Sequence, residues 1–252
     1  MMSVSFLVYI YIQVNRVDST FTPQLSTMAT ILDPYTAKAE NKDLTSQQKI
    51  EGLHEIVQSA RTGMLTTRSA DGHLHSRAMM PSAPFSGTQL VLAFVANNAS
   101  HKFEEIDNDS HVNVSFFNTD TTSWASYSGR AKAGRDKETI AKHWSSSLSA
   151  YFGDLGDGIH KGDENDPRIS IIEVIPEEIR YWVATKGSLG RAIDTAVSAV
   201  TKNCAAPGEL RTISKPEIQL TQRLQSTSRI YCRVPSEYEV SWIWPSCTFS
   251  NI

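Results

Sequence analysis

The sequence predicts a mainly β, α+β fold in which an antiparallel β-barrel carries peripheral helices. Three observations predict it: six or seven segments have strand-like patterns, short turns join neighbouring strands, and helical segments are inserted between them. Strands joined by short turns pair antiparallel, whereas a doubly wound parallel sheet needs a crossover between successive strands. The order of elements therefore favours a barrel over a parallel sheet.

Composition and charge limit the classes of partner. The chain has 252 residues, 40% of them hydrophobic and 20% charged, which is enough for one hydrophobic core. Its 24 basic and 27 acidic residues form no long basic run, so we expect neither nucleic acid nor membrane as a partner. The 3 cysteines all come late and are widely spaced, which fits neither a disulfide framework nor a zinc site. A reducing, cytoplasmic location is the expectation.

The two ends of the chain look different from the middle. Residues 4–12 are apolar but too few to span a bilayer, and no small-residue cleavage site follows them. We therefore predict a disordered or spurious extension over residues 1–30, with a signal peptide as the alternative. Residues 223–252 have no sustained period and are predicted to be an appendage, which leaves residues 31–222 as the domain.

The first half of this domain begins with a helix and a hairpin. Residues 45–48, Thr-Ser-Gln-Gln, form a capping box, and apolar residues then recur at helical spacing up to Gly63. Strands are predicted at residues 64–68 and 74–79, because Asp71-Gly72 between them is a dipeptide that tight hairpins prefer. A turn at Ser86-Gly87 leads into an apolar run that predicts a buried strand over residues 89–95.

The second half alternates strands and helices. Residues 111–117 and 124–131 alternate with period two and are predicted strands. Asp136 is predicted to cap one helix that ends at Gly153, with a stripe formed by Ile140, Trp144, Leu148 and Tyr151. After an acidic loop, strands are predicted at 168–175 and 178–183, with Pro176 at a bend between them. A helix over 192–200 and a short terminal helix after the capping box at 214–217 complete the domain.

The strongest functional signal is the start of a short predicted helix at Ser100, His101 and Lys102, directly after the apolar strand. Ser100 as N-cap with Lys102 beside it would make an anion site. Upstream, strand alternation places Arg77 and Ala78 on opposite faces, and the planar guanidinium of arginine suits a phosphate. We predict that Arg77 and Lys102 converge on one phosphorylated ligand. The alternative is that Arg77 forms an ordinary ion pair with Glu104 or Glu105.

The order and spacing of several motifs together resemble one family over residues 31–222. The chain resembles the pyridoxamine 5′-phosphate oxidase-like FMN-binding split barrels, specifically the general-stress-protein branch, and is most similar to the fungal blue-light-inducible proteins. The motifs that carry this resemblance are Leu65-Thr66-Thr67, Asp71-Gly72, Ser76-Arg77-Ala78-Met79, Ser100-His101-Lys102-Phe103-Glu104, Val112-Asn113-Val114-Ser115 and Ile179-Arg180-Tyr181-Trp182.

The resemblance implies a homodimer of six-stranded split β-barrels, with FMN in clefts at the subunit interface. Basic residues from a strand and a helix start would hold the phosphate, and strand backbone would run along the ring. The positions that match cofactor-binding residues of the family are Arg77, Ala78, Met79, Phe94, Val95, Ser100, His101, Lys102, Trp124 and Trp182. Trp124 would reach the flavin of the partner subunit and Trp182 would lie near the ring; the alternative for both is a core or dimer-interface aromatic.

Two differences from the oxidase of this family predict that the chain lacks vitamin B6 oxidase activity. The oxidase has a phosphate-binding lysine soon after its strand arginine, where this chain has Met80-Pro81-Ser82. It also has a C-terminal Arg-Leu-x-x-Arg element, where this chain has only Lys186 and Arg191 in a different setting. In addition, His101 stands where the oxidase has an arginine, which would make one phosphate contact depend on pH.

The resemblance implies an FMN-dependent oxidoreductase with a small-molecule substrate or electron donor that the sequence does not identify. No catalytic residue can be named, because the isoalloxazine ring itself accepts hydride or electrons and the protein mainly positions it. The alternative is a stress or light-response protein that binds FMN without turnover, and a third candidate is a split-barrel binder of haem or a deazaflavin. His73 and His75 are expected at the surface, and no ligand cluster predicts a metal.

Overall fold

The computed structural model describes residues 33–82, 87–201, 204–205 and 207–231. The predicted extension over residues 1–30, the turn residue Ser86 and residues 232–252 of the predicted appendage lie outside the described residues. The described helices and strands, in chain order, are α1 (Pro34–Ala39), α2 (Ser46–Ala60), β1 (Gly63–Arg68), β2 (Leu74–Met79), β3 (Leu92–Asn97), α3 (Lys102–Asn108), β4 (His111–Phe117), β5 (Trp124–Gly134), α4 (Lys137–His143), a 3₁₀ turn (Ser146–Leu148), α5 (Ser149–Phe152), β6 (Ile169–Ala184), α6 (Ser188–Thr201), β7 (Gly208–Ile213) and α7 (Lys215–Tyr231).

The strands of the described residues form one antiparallel sheet with the order β2-β1-β4-β5-β6-β3, and β7 pairs with β6 off this path. The sheet curls into a half-barrel with helices around it, so the predicted α+β split-barrel class is confirmed. Its two ends are β2 and β3. The short strand β7 was not predicted, and α7 runs across the predicted domain boundary at residue 222.

Helix α2 closes the inner side of the half-barrel. The predicted capping box at Thr45 and Gln48 is present, and the buried face of the helix comprises Ile50, Leu53, Ile56 and Val57. These side chains join the main core with the inward residues of the strands. Since burying a side chain of this size contributes roughly 1.5–3 kcal/mol, this face is what fixes α2 on the sheet.

The two last predicted strands are one strand. β6 continues through Pro176, which lies opposite Gly129 of β5 at a shift of register between Ser128 and Gly129. Proline cannot donate to a sheet ladder and is tolerated where a bulge interrupts the ladder. A Cβ at Gly129 would lie 2.2 Å from the carbonyl oxygen of Ile175, so glycine is required for this close approach. The prediction of two separate strands on either side of Pro176 was therefore wrong.

The single helix predicted between Asp136 and Gly153 was also wrong. Asp136 does cap α4, but that helix ends at Trp144, whose backbone is extended with ψ 141°. Three consecutive serines follow, and their hydroxyls bond locally, as between Ser145 and Ser147 at 2.9 Å. Such local side-chain bonds compete with helix continuation. The interruption turns Tyr151 out of the predicted stripe, and the Tyr151 residue is 82% exposed.

Candidate functional site

A pocket of about 250 Å³ lies between the two ends of the sheet. Within the described part of the chain β2 and β3 do not pair with each other. The segment that follows β2 reaches β3, where the backbone N–H of Ser82 donates to the Ala93 carbonyl at 2.8 Å. The pocket is lined by residues 77–79 of β2, residues 95–97 of β3, Lys102 of α3, and Leu148, Tyr151 and Phe152 from the 3₁₀ turn and α5. The gap between the sheet edges is thus the candidate site.

Arg77 reaches this pocket from the inner face of β2. The predicted β1–β2 hairpin is confirmed, and its register places Arg77 opposite the buried Leu65 and Ala78 opposite the outward Met64. Arg77 donates to the Glu105 carboxylate at 2.7 Å, to the Leu65 carbonyl at 3.4 Å and to the Thr67 hydroxyl. These bonds use three of the five N–H donors of the guanidinium, which leaves two for a ligand.

Glu105 is the buried counter-charge of this arginine, which confirms the ion pair that the sequence offered as the alternative for Arg77. Its side chain is only 8% exposed, and it accepts hydrogen bonds from Arg77, from Thr67 and from Nδ1 of His75 at 2.5 Å. Burial raises the pKa of this carboxyl, but the hydrogen bonds from Thr67, His75 and Arg77 outweigh burial and lower it to about 2. Glu105 is therefore ionised and holds the Arg77 guanidinium in place.

Lys102 supplies the second positive charge. It is half-buried, donates to the hydroxyl of Ser100, and lies 5.7 Å from the centre of the Phe103 ring. Burial lowers the pKa of Lys102, and the neighbouring Arg77 lowers it further. No carboxylate of the described residues lies within ion-pair distance of its ammonium. Glu105 acts in the opposite direction and raises the pKa of Lys102, but this carboxylate is already paired with Arg77. A partly desolvated cation that has no ion-pair partner of its own favours the binding of an anion.

Ser100 does not cap the helix as predicted. Position 101 is the N-cap, with no side-chain cap, because the Ser100 hydroxyl donates to the Asn97 carbonyl at 2.7 Å in the preceding turn. The same hydroxyl accepts from Lys102, so Ser100 orients the ammonium.

Two further predicted residues do not reach the pocket. His101 is 91% exposed at its side chain and lies 3.3 Å from Glu104 on the other side of Arg77. Phe94 belongs to the core and is fully buried, and the pocket is lined by the next three residues of β3, 95–97. In both cases the prediction followed a motif position and not the direction of the side chain.

The two predicted tryptophans lie elsewhere in the single chain. Trp124 and Trp182 are direct partners on β5 and β6, and they pack with Ala39 and Leu210. Trp182 is only 9% exposed and stacks on Tyr35 with 5.6 Å between the ring centres. Their packing agrees with the alternative of core aromatics. The predicted site residues that share the pocket are Arg77, Ala78, Met79, Val95 and Lys102.

The residues of this pocket suit a phosphate ester with a flat apolar body. Arg77 and Lys102 carry two positive charges against the single negative charge of Glu105, and Met79, Val95 and Phe152 provide apolar surface. Sites that enclose a cofactor-sized ligand measure roughly 300–1,000 Å³, so this smaller pocket in one chain provides part of an enclosure. These properties fit FMN at its phosphate end.

The described residues offer neither a metal site nor a membrane-spanning helix. They contain no group of three or more histidine, cysteine, aspartate or glutamate side chains placed to hold a metal ion. In the same part of the chain, every helix is too short or too polar to cross a bilayer.

The chain is similar in sequence to known proteins. The sequence model of the family described as pyridoxamine 5′-phosphate oxidase like matches residues 48–205. Protein bli-3 of Neurospora crassa is 38% identical over 188 residues, which are 74% of this chain and 90% of bli-3. General stress protein 26 of Bacillus subtilis is 29% identical over 144 residues, 55% of this chain and 92% of that protein. The crystal structure of general stress protein 26 from Bacillus anthracis is 25% identical, covers 53% of this chain and 93% of its own, and has a TM-score of 0.44.

Proposed function

The chain belongs to the pyridoxamine 5′-phosphate oxidase-like family, and we propose that it binds FMN between β2 and β3 and acts as an FMN-dependent oxidoreductase on a small molecule. One observation carries the proposal. The half-buried Lys102 has no carboxylate partner among the described residues, and it lines the same pocket as Arg77. A phosphate bound there would supply the missing counter-charge.

The phosphate would be held by side chains already fixed in position. Glu105 and Thr67 hold the guanidinium of Arg77, and Ser100 holds the ammonium of Lys102. Hydrogen bonds between charged groups contribute roughly 1.5–3 kcal/mol each, and less ordering is needed when the donors are already oriented. This pre-organisation supports the assignment of Arg77 and Lys102 as the phosphate-binding residues.

The ring would lie along the edges of the sheet. Within the described residues no strand pairs with the outer edges of β2 and β3, and Ser82 bonds only to the Ala93 carbonyl of β3, so the other backbone groups of these edges are available to a polar ring. Met79 and Val95 would contact the ring at these edges. When bound, the flavin itself accepts and donates hydride or electrons, and the protein residues bind and orient it.

We further propose that a second copy of the chain completes the site. The pocket in one chain is small, and the outer face of the sheet beside it exposes Met64, Met80 and Phe117 at 41%, 65% and 56%. Exposed apolar side chains grouped on one face favour an interface. A homodimer would cover this face and provide the rest of the enclosure. The cytoplasmic location expected from the cysteines stays a prediction.

Vitamin B6 oxidase activity is not part of the proposal. Met80 occupies the region of the oxidase's second phosphate-binding lysine, and it is exposed on the outer face of the sheet. Lys186, which follows Trp182, forms an ion pair with Asp194 of α6 at 2.7 Å. Neither residue supports a pyridoxal phosphate site like that of the oxidase.

A second candidate, an FMN-binding stress protein without turnover, is favoured by one feature of the pocket. Among the described residues the only proton-exchanging side chains in its lining are Lys102, which is assigned to the phosphate, and Tyr151, which is 82% exposed. The names of the two general stress protein relatives are in keeping with this candidate.

Two measurements separate these functions. Flavin released from the purified protein by denaturation and identified as FMN by chromatography would support cofactor binding, and a protein that binds no added FMN would overturn both candidates. Steady-state oxidation of NADH, NADPH or pyridoxamine 5′-phosphate by the flavin-loaded protein would support the enzyme. No turnover across a broad panel of electron donors would support the non-catalytic protein.

A further inference from the structure

Tyr151 lines the pocket between β2 and β3, and the proposed function assigns it no role. The break in the helix after Trp144 places this residue in α5, at the pocket. Tyr151 is 82% exposed, whereas its neighbour Phe152, which lines the same pocket, is 9% exposed. A large aromatic side chain that stays exposed beside a ligand pocket favours contact with the ligand.

The backbone beside Tyr151 is held by contacts with the core. Phe152 packs in a buried cluster with Ala93, Ile140, Ile169 and Ile171. Arg168 donates to the carbonyl of Phe152 at 2.8 Å and to the carbonyl of Gly153 at 2.7 Å. The guanidinium of Arg168 is itself paired at 2.7 Å with Asp166, whose side chain is fully buried. These contacts fix the backbone, so only the side chain of Tyr151 remains to be ordered when a ligand binds.

The pocket has walls from two parts of the chain. Met79 of β2 and Val95 of β3 line it at the edges of the sheet, and Leu148 and Tyr151 line it from the 3₁₀ turn and α5. A flat ring that lies along the sheet edges has a second face. Among the described lining residues Tyr151 is the one exposed aromatic side chain able to contact that face. Offset stacking of two aromatic rings, with centroids roughly 4.5–7 Å apart, is favourable.

We propose that the phenol ring of Tyr151 stacks on the isoalloxazine ring of FMN and covers the face that the sheet leaves open. The proposal rests on the proposed function, because it requires the phosphate at Arg77 and Lys102 and the ring along Met79 and Val95. A substrate would then approach the flavin only where Tyr151 leaves it uncovered. A stacked phenol also quenches flavin fluorescence, because it donates an electron to the excited ring and recovers that electron when the ring returns to its ground state.

Two substitutions separate the contribution of the ring from that of its hydroxyl. Tyr151→Phe keeps an aromatic ring and removes the phenol oxygen, and Tyr151→Leu removes the ring. Both variants should fold normally, because the side chain is exposed. Ile159→Ala is the control, since Ile159 is 64% exposed in the loop after α5 and lies outside the pocket lining. The flavin-free proteins would be titrated with FMN, with absorbance giving the affinity and fluorescence reporting the stack.

We expect FMN to be strongly quenched when bound to the unchanged protein and to Ile159→Ala. In Tyr151→Leu the affinity should fall about 3- to 10-fold, because an aromatic stack is lost, and the fluorescence of bound FMN should rise. In Tyr151→Phe the affinity should stay within about twofold of that of the unchanged protein. The fluorescence should rise in this variant as well, because phenylalanine is not readily oxidised.

Unchanged affinity and fluorescence in Tyr151→Leu would overturn the stacking proposal and leave the proposed function intact, whereas no FMN binding by the unchanged protein would remove both. Equal losses of affinity in Tyr151→Phe and Tyr151→Leu would also overturn it, because they would assign the contact to the hydroxyl group. A comparable effect of Ile159→Ala would contradict it too, because the change would then belong to the loop and not to the Tyr151 ring.

Discussion

The guanidinium of Arg77 donates a 2.7 Å hydrogen bond to the buried carboxylate of Glu105, and Arg77 also lines the pocket between the sheet edges. Ion pairing and ligand binding were alternatives for this arginine at the level of the sequence. In the structure they are compatible, because the carboxylate occupies one side of the guanidinium and leaves other donors unused. The ion pair fixes the orientation of the guanidinium and therefore the direction of its two unused N–H donors.

Glu105→Ala should destabilise the fold strongly. The substitution removes the acceptor of Arg77, Thr67 and His75 and leaves a largely buried guanidinium unpaired. Breaking a buried ion pair in this way costs about 3–5 kcal/mol of unfolding free energy, measured by chemical denaturation. Glu104→Ala is the control, because that side chain is 81% exposed and should change stability by less than about 0.5 kcal/mol. Equal stability of the two variants would contradict this role of Glu105.

Stability should depend on pH through the same carboxyl. The pKa of Glu105 is about 2 in the folded chain and is lowered from 4.5, so its contribution is fully present above pH 4.5 and is lost as the pH falls toward 2. The contribution is about 3 kcal/mol. Denaturation curves from pH 6 to pH 2 should therefore show a steeper loss for the unchanged protein than for Glu105→Gln. Parallel curves would show that the carboxyl does not titrate in this way.

Gly129→Ala should destabilise the sheet where β5 passes Pro176. The added methyl would lie 2.2 Å from the Ile175 carbonyl oxygen and 2.7 Å from the Pro176 Cα. Because both are backbone atoms, the strands must move, at a cost of about 1–3 kcal/mol or more. Gly134→Ala on the same strand has open space around the methyl and is the control. Thermal unfolding of the two variants would test this prediction. Similar melting temperatures would contradict the close approach of β5 to Pro176.

Phe117→Asp should separate the proposed dimer. Phe117 is 56% exposed on the outer face of the sheet, and a carboxylate there would be buried without a partner in an interface. We expect the molar mass from light scattering to fall to about half that of the unchanged protein. Leu155→Asp is the control, because Leu155 is 61% exposed on a loop. A monomeric unchanged protein, or an unaffected mass in Phe117→Asp, would exclude this face as the interface.

Local sequence signals predicted the parts of the fold that depend on local physics. Asp71-Gly72 and strand alternation predicted the hairpin that presents Arg77, and the capping box at Thr45 predicted α2. The continuity of β6 depends on Gly129, a residue of another strand that accommodates Pro176, so the strand itself gave no sign of it. Contacts between distant segments cannot be read from a periodic pattern.

In the candidate site, too, local sequence patterns predicted some features, and others depend on contacts between distant segments. The prediction that Arg77 and Lys102 share a cleft agrees with the structure, because strand alternation and the start of α3 set their directions. The hydrogen bond from Thr67 to Glu105 joins residues 38 positions apart, and only the folded chain brings them together. The sequence did contain a signal for this cluster around Glu105. His75 and Arg77 are two residues apart on one strand face, and Glu105 lies one helical turn after Lys102.

The most direct test of FMN binding at Lys102 is an absorbance titration of the flavin-free protein with FMN. It would be carried out on the unchanged chain, Lys102→Ala and Lys132→Ala. Lys132 is an exposed lysine of β5 outside the pocket and serves as the control. We predict saturable binding by the unchanged chain and Lys132→Ala, and an affinity about 10- to 100-fold lower for Lys102→Ala because one charged hydrogen-bond donor is lost. Unchanged affinity in Lys102→Ala, or no binding by any of the three proteins, would contradict it.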